Sequence, residues 1–118
     1  MRKDHDLLGD IPIPDEVYYG AQTQRALELC NPSKEKLSDY PELIFSLAAI
    51  KKACALAHKE LKVLAEDKAN AIATAADEVM SQKFGPEEFP VDIINGGGVS
   101  VNMNINEVLA TRATELLS

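Results

Sequence analysis

Residues 96–106 gather the groups best suited to hold a small acid. Gly96, Gly97 and Gly98 take the side chains out of a turn, and Ser100, Asn102, Asn104 and Asn106 follow on alternate positions. A backbone without Cβ atoms lets a ligand approach closely, and the hydroxyl and amide groups beyond it can hydrogen-bond what is held there. An apolar helical pattern follows, so the turn opens a helix whose free N–H groups and dipole favour a carboxylate. Ser100 and Asn102 are the side chains placed to face such a ligand, with Asn106 one turn beyond Asn102 on the same face. Asn104 and Asn106 equally suit capping and helix-to-helix hydrogen bonds. The segment is not a dinucleotide fingerprint, because no clear strand precedes it, and it lacks the Lys-Ser/Thr ending of a phosphate loop.

Other reactive groups are scattered. His5 and His58 sit among charged residues and read as solvated, with no acid or base partner in the pattern. Arg25 can clamp a carboxylate or lock a turn, and locking a turn is the commoner use of such a guanidinium. Lys51 and Lys52 read as a solvated helix face. Cys30 and Cys54 have neither C-x-x-C nor metal-ligand spacing, which fits buried or partly buried free thiols in a reducing compartment and no metal site.

The elements that must position the turn are mostly helical. Pro12 and Pro14 exclude a helix from residues 1–19, leaving an arm of short extended pieces that Tyr18 and Tyr19 pack onto the body. A short helix fits 22–29 and stops at Asn31-Pro32. Ser38 or Asp39 can cap the next helix, with Pro41 in its first turn and Leu43, Leu47, Ile50, Cys54, Ala57 and Leu61 forming its apolar stripe. A third helix spans 66–81, opened by Glu66 and Asp67, with Ala69, Ile72, Ala73, Ala76, Val79 and Met80 on one side. Residues 91–94 are too short to assign as a strand. The last helix starts near Ser100 and lines up Val101, Ile105, Val108, Leu109, Arg112 and Leu116, with no stop signal after it. The pattern therefore predicts a small all-α domain of about three main helices plus an extended N-terminal arm.

Composition narrows the function classes. A net charge of −7 argues against nucleic acid and anionic membranes as partners, while leaving a local anion pocket possible. No stretch has signal-peptide or membrane-spanning character, so a cytoplasmic location is expected.

The run from Gly96 to Val108 resembles the first signature of the aspartase/fumarase superfamily, a Gly-x-Gly-Thr-Ser-x-Asn-Met-Asn-x-Asn-Glu-Val pattern. Asp6-Leu7-Leu8-Gly9, Ile13-Pro14, Tyr18-Tyr19-Gly20, Ala21-Gln22-Thr23-Gln24-Arg25-Ala26, Lys51-Lys52-Ala53 and Phe89-Pro90-Val91-Asp92 match in order, so the resemblance covers nearly the whole chain. Asp6 to Gly9, Tyr18 to Gly20, His58-Lys59-Glu60-Leu61 and Val101 to Asn104 are more similar to the ammonia-eliminating members. Gln22 to Arg25 is more similar to the water-eliminating ones.

The resemblance implies that residues 1–118 are the N-terminal domain of a homotetrameric lyase, with the central helix bundle and C-terminal domain absent. It implies reversible elimination of ammonia from L-aspartate to give fumarate, or of water from malate in the alternative, on a small dicarboxylic acid and with no cofactor. The carboxylate pocket would draw on Gly97, Gly98, Val99, Ser100 and Asn102, with Arg25 and Asn106 supporting. No catalytic residue is implied within these residues, since the family's catalytic serine loop and His-Pro-Asn-Asp-type segment fall further along, and the chain alone is expected to be inactive. Where the family places a hydroxyl residue this chain has Val99. That departure also supports a non-catalytic, stand-alone binding domain as a further alternative.

Overall fold

The computed structural model describes residues 1–29 and 31–118; Cys30, expected as a free thiol, lies outside them. The arm is a β-hairpin, β1 (Arg2–Asp6) antiparallel to β2 (Gly9–Ile13), with Arg2 opposite Ile13 and Asp6 opposite Gly9. Pro12 lacks an N–H and points outward in this two-stranded ribbon, while Ile11 and Ile13 alternate into the core. Four helices follow: α1 (Ala21–Leu29), α2 (Pro41–Glu60), α3 (Glu66–Met80) and α4 (Val99–Leu117). The all-α expectation holds, with the hairpin as the arm. Among the described residues no helix is long and apolar enough to cross a membrane.

Helices α2, α3 and α4 pack side by side, and α1 lies between the hairpin and α4. Alanines carry much of the contact: Ala69, Ala71, Ala73, Ala75 and Ala76 are all buried on α3, allowing its neighbours to approach closely. Ile13, Leu37, Val91, Ile105 and Val108 are the largest apolar side chains at the centre. The 91–94 segment forms a single antiparallel bridge, Lys36 with Asp92, flanked by Leu37 N donating to Val91 O at 2.8 Å.

Four expectations need correction. The α2 stripe is displaced by one residue: Ile44, Ala48 and Ala55 are buried, whereas Leu43, Ile50, Cys54 and Leu61 are exposed. Apolar residues surround most of this helix, so its period is clear and its phase is not. Cys54 is accordingly an exposed thiol rather than a buried one. The cap is also shifted. Leu37–Asp39 makes its own 3-10 turn, Asp39 accepts from Lys36 N at 2.9 Å, and Tyr40 becomes the residue before Pro41. Finally, Lys51 and Lys52 are half-buried and engaged: Lys51 Nζ donates to Asn102 Oδ1 and Lys52 Nζ to Asp77 Oδ1, both at 2.7 Å.

Ion pairs tie the elements together. Arg25 donates from Nε and Nη2 to the two Asp6 oxygens at 2.8 and 2.9 Å and reaches Gly9 O at 2.9 Å, locking α1 to the hairpin. Arg112 grips Glu78 at 2.7 and 3.0 Å, joining α4 to α3, and also contacts Glu115. Tyr18 packs edge-on against Phe84 with centroids 5.1 Å apart and donates to Glu115, holding the arm to the body.

These contacts set the acid response. Hydrogen bonds from Arg25 and Arg112 hold the Asp6 and Glu78 carboxyls below their ordinary range. A lowered folded-state pKa gives stability that is present above the unfolded value and lost as pH falls through the folded one. Glu88 has the opposite sign: burial pushes it up, so its contribution is present at low pH and fades as pH rises through its folded value. We expect the urea midpoint to drop as pH is lowered below about 4. Glu78→Gln should flatten that acid limb and Glu88→Gln should leave it intact; identical acid limbs for wild type and Glu78→Gln would refute the assignment.

Candidate functional site

The glycine turn is built as its composition requires. Gly96, Gly97 and Gly98 have φ of 67°, 61° and 98°, three successive residues in the left-handed region that side chains disfavour. The chain then enters α4 at Val99, whose N–H donates back to Gly96 O. The turn lies on the surface, and Val99 is 64% exposed. A pocket here needs a second wall.

The side chains beyond the turn divide between two sides of α4. Ser100 and Asn102 stand about 200° apart at 100° per residue, so they do not face one ligand together as the alternate spacing suggested. Ser100 lies against the turn, its Oγ 3.2 Å from where a Cβ on Gly96 would fall. Asn102 turns to α2 and accepts from Lys51. Asn106 shares the Asn102 face and, with Lys51, Cys54, His58 and Leu109, lines a cleft of about 300 Å³ between α2 and α4. Val99, three positions before Asn102, joins that same face. Asn104 is fully buried and donates to Glu88 O at 2.8 Å, which makes it structural. Arg25 is committed to Asp6 and Gly9 and sits with the hairpin, apart from this face. His58 is exposed on α2 and His5 on β1.

Several carboxylates that carry the scaffold were not singled out by sequence. Glu107 on α4 accepts from Gln22 N, Thr23 N and Thr23 Oγ1 at 2.9, 2.8 and 2.7 Å, and Asp4 accepts from Ala21 N at 2.9 Å. Together they cap α1, which has no acid in its own first turn. Gly20 is where they converge: a Cβ there would meet Glu107 at 2.5 Å and Asp4 at 2.8 Å. Asp92 is buried and accepts from Ser33 N, Ser33 Oγ, Lys34 N and Ile94 N, all at 2.9 Å. Desolvation opposes its charge, and these donors, led by Ile94, outweigh it and leave the carboxyl below its usual value. The signal for Asp4 and Glu107 was Gly20 directly before a helix that lacks its own acidic cap. Among the described residues, no cluster of three or more His, Cys, Asp or Glu could hold a metal ion.

A helical domain that presents a left-handed glycine turn at the mouth of its last helix fits the lyases, and residues 9–118 match the family model described as lyase. The chain belongs to that family, within the aspartase/fumarase superfamily. It is similar to aspartate ammonia-lyase of Escherichia coli (strain K12), with 46% identity over 118 residues, 99% of this chain and 25% of the relative. It is also similar to fumarate hydratase class II of Chromobacterium violaceum, 48% identical over the same shares. Among solved structures, fumarate lyase:delta crystallin from Brucella melitensis in native form superposes with a TM-score of 0.93 and 43% identity, over 99% of this chain and 26% of that one. Recombinant class II fumarase from Schistosoma mansoni gives 0.87 and 38%, over 98% and 24%. The chain thus spans about a quarter of the length of these relatives.

Proposed function

We propose that this chain is the N-terminal domain of a cytoplasmic, homotetrameric lyase that eliminates ammonia from L-aspartate to give fumarate, and that it contributes one wall of the carboxylate pocket. The observation that carries this reading is the run of three left-handed glycines opening α4, beside the Val99–Asn102–Asn106 face. Removal of a proton beside a carboxylate builds negative charge on that carboxylate, and fixed N–H donors stabilise it. The first turn of α4 supplies such donors from its backbone and Asn102 from its side chain, while the Gly97 N–H is spent on Ile94 O at 3.0 Å. Val99 supplies none. The base and the remaining walls come from outside these residues, so the isolated chain should show no turnover.

The relative named fumarate hydratase, at 48% identity, favours a second reading in which water leaves in place of ammonia. Supplying the intact protein with aspartate or with malate separates the two, read by fumarate absorbance. Fumarate from aspartate alone supports the first reading, and fumarate from malate alone replaces it with the second. In the same protein Val99→Thr adds a hydroxyl at nearly constant volume. It should tighten succinate binding about tenfold, the value of one hydrogen bond to a charged group. An unchanged succinate constant would remove position 99 from the pocket.

A further inference from the structure

The amide of Asn102 meets different neighbours at its two ends. Oδ1 accepts from Lys51 Nζ at 2.7 Å, while Nδ2 donates to no group among the described residues. An ammonium can only donate, so Lys51 selects one of the two flip states of the amide. The oxygen is held toward α2 and the NH2 group is turned away from it. In the opposite state two donors would face each other. Lys51 is half-buried between α2 and α4, so its ammonium is held at this contact and does not range freely through solvent.

We propose that Lys51 is a positioning residue for the carboxylate site: it fixes Asn102 with its NH2 group presented on the Val99 face and adds a positive charge behind it. This rests on the reading that an anionic group binds beside the glycine turn. An unheld asparagine offers a carboxylate either an attractive donor or a repulsive oxygen, and the two differ only by a flip. A lysine behind the oxygen leaves the donor alone. The same contact also staples α2 to α4, and that purely structural role would be visible in stability and not in substrate affinity.

Three variants of the intact protein separate these roles: Lys51→Met, Lys51→Arg and Asn102→Asp. Each is measured by steady-state kinetics, succinate inhibition and thermal melting. Lys51→Met should raise KM and the succinate inhibition constant about tenfold, with a smaller change in kcat. Lys51→Arg keeps a donor behind the oxygen and should recover most of that loss. Asn102→Asp keeps the partner of Lys51 and makes it an ion pair, but replaces the NH2 group with a second oxygen. Its melting temperature should not fall, and its KM should rise at least as far as that of Lys51→Met. If Lys51→Met lowers the melting temperature and leaves both constants unmoved, Lys51 is a staple and the inference is overturned. The same holds if Asn102→Asp binds succinate as wild type does, a result that stands even where Lys51→Met fails to fold. Wild-type protein that turns over neither aspartate nor malate overturns the carboxylate reading itself, and this inference with it.

Discussion

Glu107→Ala should destabilise the chain by about 3 kcal/mol, seen as a lower urea midpoint with an unchanged slope. One carboxylate accepts from two backbone N–H groups and a hydroxyl at 2.7–2.9 Å. Helix α1 is nine residues long, too short to hold itself without tertiary support. Removing Glu107 leaves the Gln22 and Thr23 N–H groups without their acceptor at the end of the helix where the dipole is positive. Hydrogen bonds to charged groups are worth roughly 1.5–3 kcal/mol each, and water reaching the vacated site returns part of that. Glu107→Gln retains one accepting oxygen and should lose about half as much. A change below about 1 kcal/mol for the alanine variant would mean that α1 is held by its packing alone.

The second large effect is predicted at Gly98. Its φ of 98° lies in the left-handed region, and a Cβ built there meets nothing within 4 Å. Gly98→Ala therefore tests backbone conformation without a steric clash, and should cost about 2 kcal/mol. Gly98→Asn should cost less, since asparagine tolerates this region better than alanine. The turn at the mouth of α4 would be re-formed in both, so succinate binding by the intact protein should weaken in the same order. Equal stability for glycine and alanine at this position would show that the turn relaxes freely, and the case for a preorganised anion site would lose its footing.

Much of the fold was legible because its signals are local. Pro12 and Pro14 announced an extended arm, Asn31-Pro32 a break, and Gly96 to Gly98 a turn, and each depends only on neighbouring residues. The apolar side of α4 was readable as well, since Val101, Ile105, Val108 and Leu109 are all buried. The phase of α2 was not. Leu43, Ile44, Phe45, Leu47, Ala48 and Ile50 fit more than one stripe, and only packing against α3 selects Ile44 and Ala48. At the site, the types of residue were visible and their facing was misjudged. Alternate spacing suits a strand, and on a helix it sends Ser100 and Asn102 to opposite sides. Long-range partners were invisible in principle, and the role of Lys51 depends on a residue 51 positions away.

The cap on α1 has a consequence for the order in which the domain can form. Gln22 and Thr23 find their acceptor 85 and 84 residues later, on the last helix. A chain emerging from the ribosome cannot complete the cap on α1 until Glu107 has been made. Contacts this far apart in sequence are paid late in folding, after loop closure. The earliest helix of the domain is thus among the last to become secure, and a nascent chain will carry the hairpin and α1 as loosely held segments until α4 arrives.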